Sequence, residues 1–328
     1  MPDPQPPKRL PPLPAAARPS SQAPAIRYAE LHCCTNFSFL DGASHPDELA
    51  ARAAELGYAA LAITDRNSVA GVVRAHVAAK EAGVKLLVGA EVTPVDAPPA
   101  LLWATDRAAY GRLAKLLTLG RRAAPKGECH LTFDDVAAHA AGLLAGVLLT
   151  SNRDHRLSAL GGMLSRPDSE SSNPNSALGR ESMAPCTHQA TVADCRSYRA
   201  VFADRCYAVA ELHRSPEDGK RLQQMLQTAR EARLPLVAAN DVHYHLPDRR
   251  PLQDVLTAVR HGCSVAELGG RSFPNGERYL KAPAEMLELF AGCRHAVART
   301  VEVAQRCTFS LDELRYEYPE ELCPPGMT

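Results

Sequence analysis

The sequence carries no excess charge of either sign: Lys+Arg and Asp+Glu both count 37, so the formal net charge is zero. That excludes a generally basic nucleic-acid coat protein, though not a local basic groove. No apolar run approaches the roughly 18 residues of a membrane span. The N-terminus also lacks a long apolar core followed by a small-residue cleavage site, which speaks against secretion. The ten Cys form no short repeating framework, and a chain of 328 residues can bury a core without disulfides. A reduced, cytoplasmic protein is expected. Two catalytic signatures are missing too: a G-x-x-x-x-G-K-[ST] phosphate loop and a G-x-S-x-G elbow.

What is present is ordinary in bulk, at 45% hydrophobic and 23% charged residues. It is uneven along the chain. Residues 1–25 hold nine of the 26 Pro and cannot bury enough apolar surface to offset their ordering entropy. They are expected to form a disordered leader; PPKRLPPLP could alternatively dock as a left-handed polyproline helix. From Tyr28 onward, strand-length apolar runs alternate with helical spacing. The strand candidates are Arg27–His32, Ala59–Thr64, Lys85–Glu91, Ala100–Ala104, Leu143–Thr150, Cys206–His213 and Leu234–Asp241. Helices are expected over Asp47–Leu56 (Ser44 as N-cap, Gly57 as stop), Ser68–Ala82, Ala108–Leu119 (stopped by Gly120) and Pro216–Arg233.

Repeated strand–helix units imply a parallel sheet. About seven strands in roughly 220 residues favours an α/β barrel over an open sheet. Gly161–Pro185 is rich in Ser, Asn, Pro and Gly without apolar periodicity, so a disordered insertion is expected at about 160–186. The expected organisation is a leader over 1–25, a barrel over 26–250, and a helical extension over 251–328. Leu252–Arg260, Pro283–Phe290 and Arg294–Arg306 are the helices of that extension. Glu320–Thr328 offers no cap or closing element, as though a further domain should follow.

The strand ends carry the chemistry. The first run ends in His32, followed by Cys33 and Cys34; the second is followed by Asp65 and the third ends in Glu91. The sixth includes Glu211 and ends in His213, and the seventh ends in Asp241, with His243 two residues on. In a parallel barrel the C-terminal strand ends converge on one mouth, and imidazole and carboxylate are ligands for zinc, manganese or iron. A polar residue at a single strand end is commonplace; five ends of ligand type point to a metal-site ancestry.

The fragments LHCCTNFSFLDGASHPDELAARAAELGYAALAITD, GVKLLVGAE and LPLVAANDVHYH resemble the polymerase and histidinol phosphatase (PHP) domain. More closely, they resemble the N-terminal part of bacterial C-family DNA polymerases, the polymerase III alpha-subunit type. NFSFLDGASHP, AGVVRAHVAAKEAG, AELHR and ERYLKAPAEMLELF point to the error-prone branch, used in damage-induced mutagenesis and DNA repair. The likeness spans about residues 27–328. It implies a distorted seven-stranded β/α barrel, TIM-like, with up to three metals at its mouth.

Carried over by position, the resemblance implies His32, Cys34, Asp65, Glu91, His213, Asp241 and His243 as metal positions. The pattern is eroded. His-x-His reads His32-Cys33-Cys34, and a small buried thiol is the plainer reading of Cys34. Asp-His reads Asp65-Arg66; an arginine cannot ligate and would repel a cation, pairing instead with Asp65 or Glu91. Leu143–Thr150 offers no ligand in register, with Asn152 and His155 just beyond. Weak or absent metal binding is therefore expected, at most one residual zinc or manganese ion, and no hydrolysis.

Other candidates read as structure. His76 faces Val69, Val72 and Val73 as a core-rim residue, and His45 belongs to a helix start. Cys129-His130 and Cys186-x-His188 lack zinc-finger partners. Arg121-Arg122 and Arg249-Arg250 are surface pairs that could touch phosphate. The closely spaced aspartates that two-metal nucleotidyl transfer requires do not occur, so the magnesium-dependent polymerisation of the parent family is not expected of this chain alone. Its expected partners are DNA, the polymerase core and accessory mutagenesis or replication proteins, with no membrane. The alternative function is a free-standing metal-dependent phosphoesterase.

Overall fold

The computed structural model describes residues 27–149 and 190–314. The expected leader, the insertion with Asn152, His155, Cys186 and His188, and the last residues of the chain lie outside this range. Seven strands form one sheet in sequence order: β1 (Ala29–Glu30), β2 (Ala60–Ile63), β3 (Leu86–Val92), β4 (Ala100–Ala104), β5 (Leu143–Leu148), β6 (Cys206–Glu211) and β7 (Leu236–Ala239). The sheet closes at one end, where Cys33 bridges Val242 in parallel. There the Cys34 amide donates to the Val242 carbonyl at 2.8 Å and the Val242 amide to the His32 carbonyl at 2.9 Å. Deeper in the seam a side chain replaces the ladder. The buried Glu30 carboxylate accepts from the amides of Leu31, His32 and Asn240 and from the Tyr28 hydroxyl.

A wholly parallel sheet is not what forms. β4 runs antiparallel to both β3 and β5, while the other pairings are parallel. The reason is length: residues 93–99 carry no helix, and a parallel return needs a crossover of a dozen residues or more. The six remaining strands still point the same way, so their C-terminal ends share one mouth.

Alternation along the strands sorts the core into two layers. Ala29, Leu31, Ala60, Ala62, Leu101 and Trp103 face the barrel interior. Leu61, Ile63, Leu102 and Ala104 face the helices outside. Trp103 fills the interior and donates from its indole nitrogen to the Leu31 carbonyl at 3.0 Å. The flanking strands yield to it with glycine: a Cβ on Gly146 would lie 2.5 Å from the Trp103 ring, and one on Gly89 2.9 Å.

The outer helices are α1 (Pro46–Glu55), α2 (Val72–Ala82), α3 (Arg107–Arg122), α4 (Phe133–Ala138), α5 (Val192–Phe202), α6 (Asp218–Ala232), α7 (Arg250–His261), α8 (Pro283–Leu289) and α9 (Arg294–Arg306). Sequence reading missed α4 and α5. α1 is capped by His45, not Ser44, with Glu48 Oε2 accepting from the His45 amide at 2.9 Å. Ser44 instead bonds the His245 ring at 2.7 Å. α3 continues through Gly120, which is buried against Cys129 and Leu131; that glycine serves close packing rather than termination. α2 starts at Val72, later than Ser68, and Gly71 before it has no room for a side chain: a Cβ would lie 2.5 Å from Asp65 Oδ2. α9 sits under the β1–β7 seam. Its Val303 and Ala304 join the interior cluster, and Thr300 Oγ1 accepts from the Ala29 amide at 3.1 Å.

Candidate functional site

The mouth is built from the chain just beyond the strands, where the ladder ends and side chains turn over the barrel axis. His32 stands at its centre, buried. Its Nδ1 lies 2.6 Å from Glu211 Oε1, and its Nε2 lies 3.8 Å from Glu91 Oε2 and 3.7 Å from Asp241 Oδ1. Burial opposes charge on this ring, but Asp241 and Glu211 outweigh it and push its pKa up to about 10. An imidazolium is therefore the resident form at neutral pH.

Asp241 occupies a left-handed backbone position, φ 44°, a conformation that costs energy in a non-glycine residue and recurs at functional sites. It directs the carboxylate inward, to His243 Nε2 at 3.1 Å and to the buried Arg278 guanidinium. Burial alone would raise the Asp241 carboxyl; Arg278, His243 and His32 together hold it well below the usual carboxylate range. Arg278 is also stacked over Phe273, 4.0 Å from the ring centre.

Asp65 is turned the other way. It accepts from the Thr35 amide at 2.8 Å, from the Thr35 hydroxyl and from Ser38 Oγ at 2.8 Å. Its neighbour Arg66 does not pair with it. The Arg66 guanidinium reaches Asp41, Nη2 to Oδ2 at 2.5 Å, and lies 3.6 Å from Glu91 Oε2. Asp41 also faces Arg260 at 3.3 Å and His243 Nδ1 at 3.6 Å. His213 sits at the edge, its Nε2 3.0 Å from the Asn240 carbonyl. Burial, then Arg278, keeps its pKa well below that of a free imidazole.

The sequence-derived positions thus gather at one mouth: His32, Glu91, Asp241 and His243 in direct proximity, Asp65 and His213 at the periphery. Cys34, Asp41 and His243 offer ligand atoms that all lie within 4.8 Å of one another, a grouping able to hold one metal ion. Burial, then Asp41 and Asp65, raises the Cys34 thiol well above its ordinary pKa, which disfavours the thiolate a metal needs. Sequence reasoning missed three participants, Asp41, Arg260 and Arg278. Asp41 lies inside NFSFLDG, and Arg278 inside ERYL, but no spacing rule singles either out. Of the lesser candidates, His76 bonds Asp312 at 3.1 Å on the rim of α2, Arg121 is held by backbone carbonyls of Asn67 and Gly127, and Arg249 pairs with Glu48.

Residues 30–169 match the PHP domain family. The chain is similar to the error-prone DNA polymerase of Rhodopirellula baltica, 46% identical over 93% of this chain and 24% of that protein. The Methylococcus capsulatus error-prone DNA polymerase is 45% identical over 92% of this chain and 25% of its own length. The chain therefore spans about a quarter of the length of these curated relatives. Among solved structures, an amidohydrolase from Chromobacterium violaceum aligns at TM-score 0.38 and 16% identity, over 66% of this chain and 87% of that one. A lesion-specific endonuclease from Pyrococcus furiosus aligns at TM-score 0.39 and 11% identity, over 66% and 48%. On the sequence likenesses, residues 30–169 carry a PHP domain, and 92–93% of the chain is similar to a region of error-prone DNA polymerases.

Proposed function

We propose that this barrel is a structural PHP module of an error-prone DNA polymerase, with a degenerate metal mouth and no hydrolytic activity of its own. The observation that supports this most strongly is the set of guanidinium–carboxylate pairs at the mouth. Arg66 pairs with Asp41 and lies beside Glu91, Arg260 pairs with Asp41, and Arg278 pairs with Asp241. Asp41, Glu91 and Asp241 thus each have a permanent cation within 4 Å, while Asp65 is occupied by Thr35 and Ser38. A multi-metal cluster does not fit that donor set. His32, Cys34, Asp65, Glu91, His213, Asp241 and His243 are the remnant of a ligand shell, able to retain no more than one weakly held zinc or manganese ion.

The organisation read from sequence belongs to this proposal: a leader before residue 26, the barrel to about residue 250, and helices beyond it that lead towards a polymerase core. Nucleotide incorporation, with its magnesium ions, would reside in that core, which places the parent protein at DNA in the cytoplasm during repair and damage-induced mutagenesis, with accessory replication proteins beside it. Two assays on the purified 328-residue protein test the reading. No release of nitrophenol from a chromogenic phosphate ester with added manganese, and no primer extension with magnesium, are the expected results. Manganese-dependent turnover abolished by Asp241→Asn would establish the phosphoesterase alternative instead.

A further inference from the structure

Helix α7 turns a largely polar face inward. That face buries Gln253, Thr257 and His261 beside Ala258. The Thr257 hydroxyl donates to the Gln253 carbonyl at 2.9 Å, and Gln253 Oε1 has no partner among the described residues. Its outer face carries Leu252, Val255 and Val259, exposed by 39%, 45% and 60%. These positions fall at i, i+3 and i+7, one stripe along the helix. A solvent-facing helix would use straight-chain polar residues there; valine lowers helix propensity and gains nothing from water.

The stripe does not stand alone. Asp41 joins Arg260 at 3.3 Å, tying α7 to the loop that carries Phe37 and Phe39. Phe39 is 82% exposed and precedes Leu40, whose positive φ of 57° fixes the turn. Single exposed apolar residues need no explanation, but an apolar helix stripe linked to an exposed aromatic loop marks an interaction surface. The stripe itself presents no cation, so phosphate is not what it fits. It fits another apolar protein face.

We propose that this surface, α7 with the Phe37–Phe39 loop, is the seat of the remaining polymerase polypeptide. The inference rests on the reading above, that the barrel is a module of a longer enzyme. Relatives matched over 92–93% of this chain are about four times as long, and that further polypeptide is the occupant the comparisons supply. A second copy of the chain is the competing occupant.

Hydroxyl-radical footprinting separates them. The probe is a hybrid in which this chain replaces the aligned region of the R. baltica polymerase, compared with the 328-residue protein alone. Modification of Phe39, Leu252, Val255 and Val259 is expected to fall at least fivefold in the hybrid. Val255→Asp with Val259→Asp should abolish the protection of Phe39 and Leu252 while leaving the melting temperature of the 328-residue protein unchanged. If the hybrid does not fold, the 328-residue protein mixed with the R. baltica polymerase lacking its aligned region is the second probe, with the same protection expected and full modification of all four residues overturning the surface. A hybrid that extends primers with all four residues modified as fully as in the chain alone overturns the surface but not the polymerase reading. A hybrid inactive in extension with the stripe protected damages the polymerase reading but not the surface. Concentration-dependent dimers of the 328-residue protein that protect the same residues overturn the proposed occupant.

Discussion

Replacing Arg278 with methionine isolates what a guanidinium does at the mouth. The side chain is buried, paired with Asp241 and stacked on Phe273. Removing one partner of a buried ion pair costs about 3–5 kcal/mol, because the other charge is left without compensation. Here Asp241 keeps His243 at 3.1 Å and has His32 at 3.7 Å, so the lower end, about 3 kcal/mol, is expected. At about 2–4 °C per kcal/mol for a domain of this size, the melting temperature should fall by about 6–12 °C. Asp241→Asn alone should also destabilise, since it strands Arg278. The double variant leaves neither member of the Arg278–Asp241 pair stranded, and His32 keeps Glu211 at 2.6 Å, so its loss should fall short of the summed single losses by about 2 kcal/mol. Urea unfolding of the four proteins gives the cycle. Zinc should also raise the melting temperature of Arg278→Met more than that of the parent, because a carboxylate has been freed. Additive losses, or a single-variant cost below about 1 kcal/mol, would refute the view that this cation is integral to the mouth.

Two further outcomes follow from the same geometry. His32 has a folded pKa of about 10, above its unfolded value near 6.5, so its contribution to stability is complete below about pH 6.5 and is lost as pH rises towards 10. The stability gap between the parent and His32→Gln should therefore narrow over that window, read by urea titration at successive pH values; a gap constant from pH 6 to pH 10 would contradict it. Gly146→Ala places a methyl 2.5 Å from the Trp103 ring and 2.6 Å from Val209, and overpacking of this kind costs about 1–3 kcal/mol. A melting temperature equal to the parent's would show that the barrel interior has slack at Trp103.

Much of this arrangement is legible in the sequence because it depends on periodicity. Strand-length runs ending in His32, Glu91, His213 and Asp241, with Glu211 inside the sixth, place those residues at one barrel end, whatever the side chains then do. The reversal of β4 is not legible in the same way: its apolar run reads alike in either direction, and only the helix-free segment 93–99 forbids a parallel return. Gly120 looked like a helix stop because its packing partners, Cys129 and Leu131, arrive from a later segment. Of the two partners expected for Arg66, Glu91 lies within ion-pair distance at 3.6 Å, but the nearer partner, Asp41, was not legible for a related reason. Asp65 is adjacent in sequence, yet Thr35 and Ser38 saturate it, and Asp41 comes in from a loop 25 residues earlier. Arg278 arrives from a non-repetitive stretch with no ligand spacing at all. What long-range contacts decide, local pattern does not encode.

Counting metal ions on the intact chain puts the replacement of metal by arginine to its plainest trial. Protein equilibrated with zinc or manganese, freed of excess ion and analysed by elemental mass spectrometry should retain at most one ion per chain, and calorimetric titration should show only weak binding. Two or more tightly held ions per chain would mean that Arg66, Arg260 and Arg278 leave the mouth when metal enters, and that the barrel is a metal centre after all.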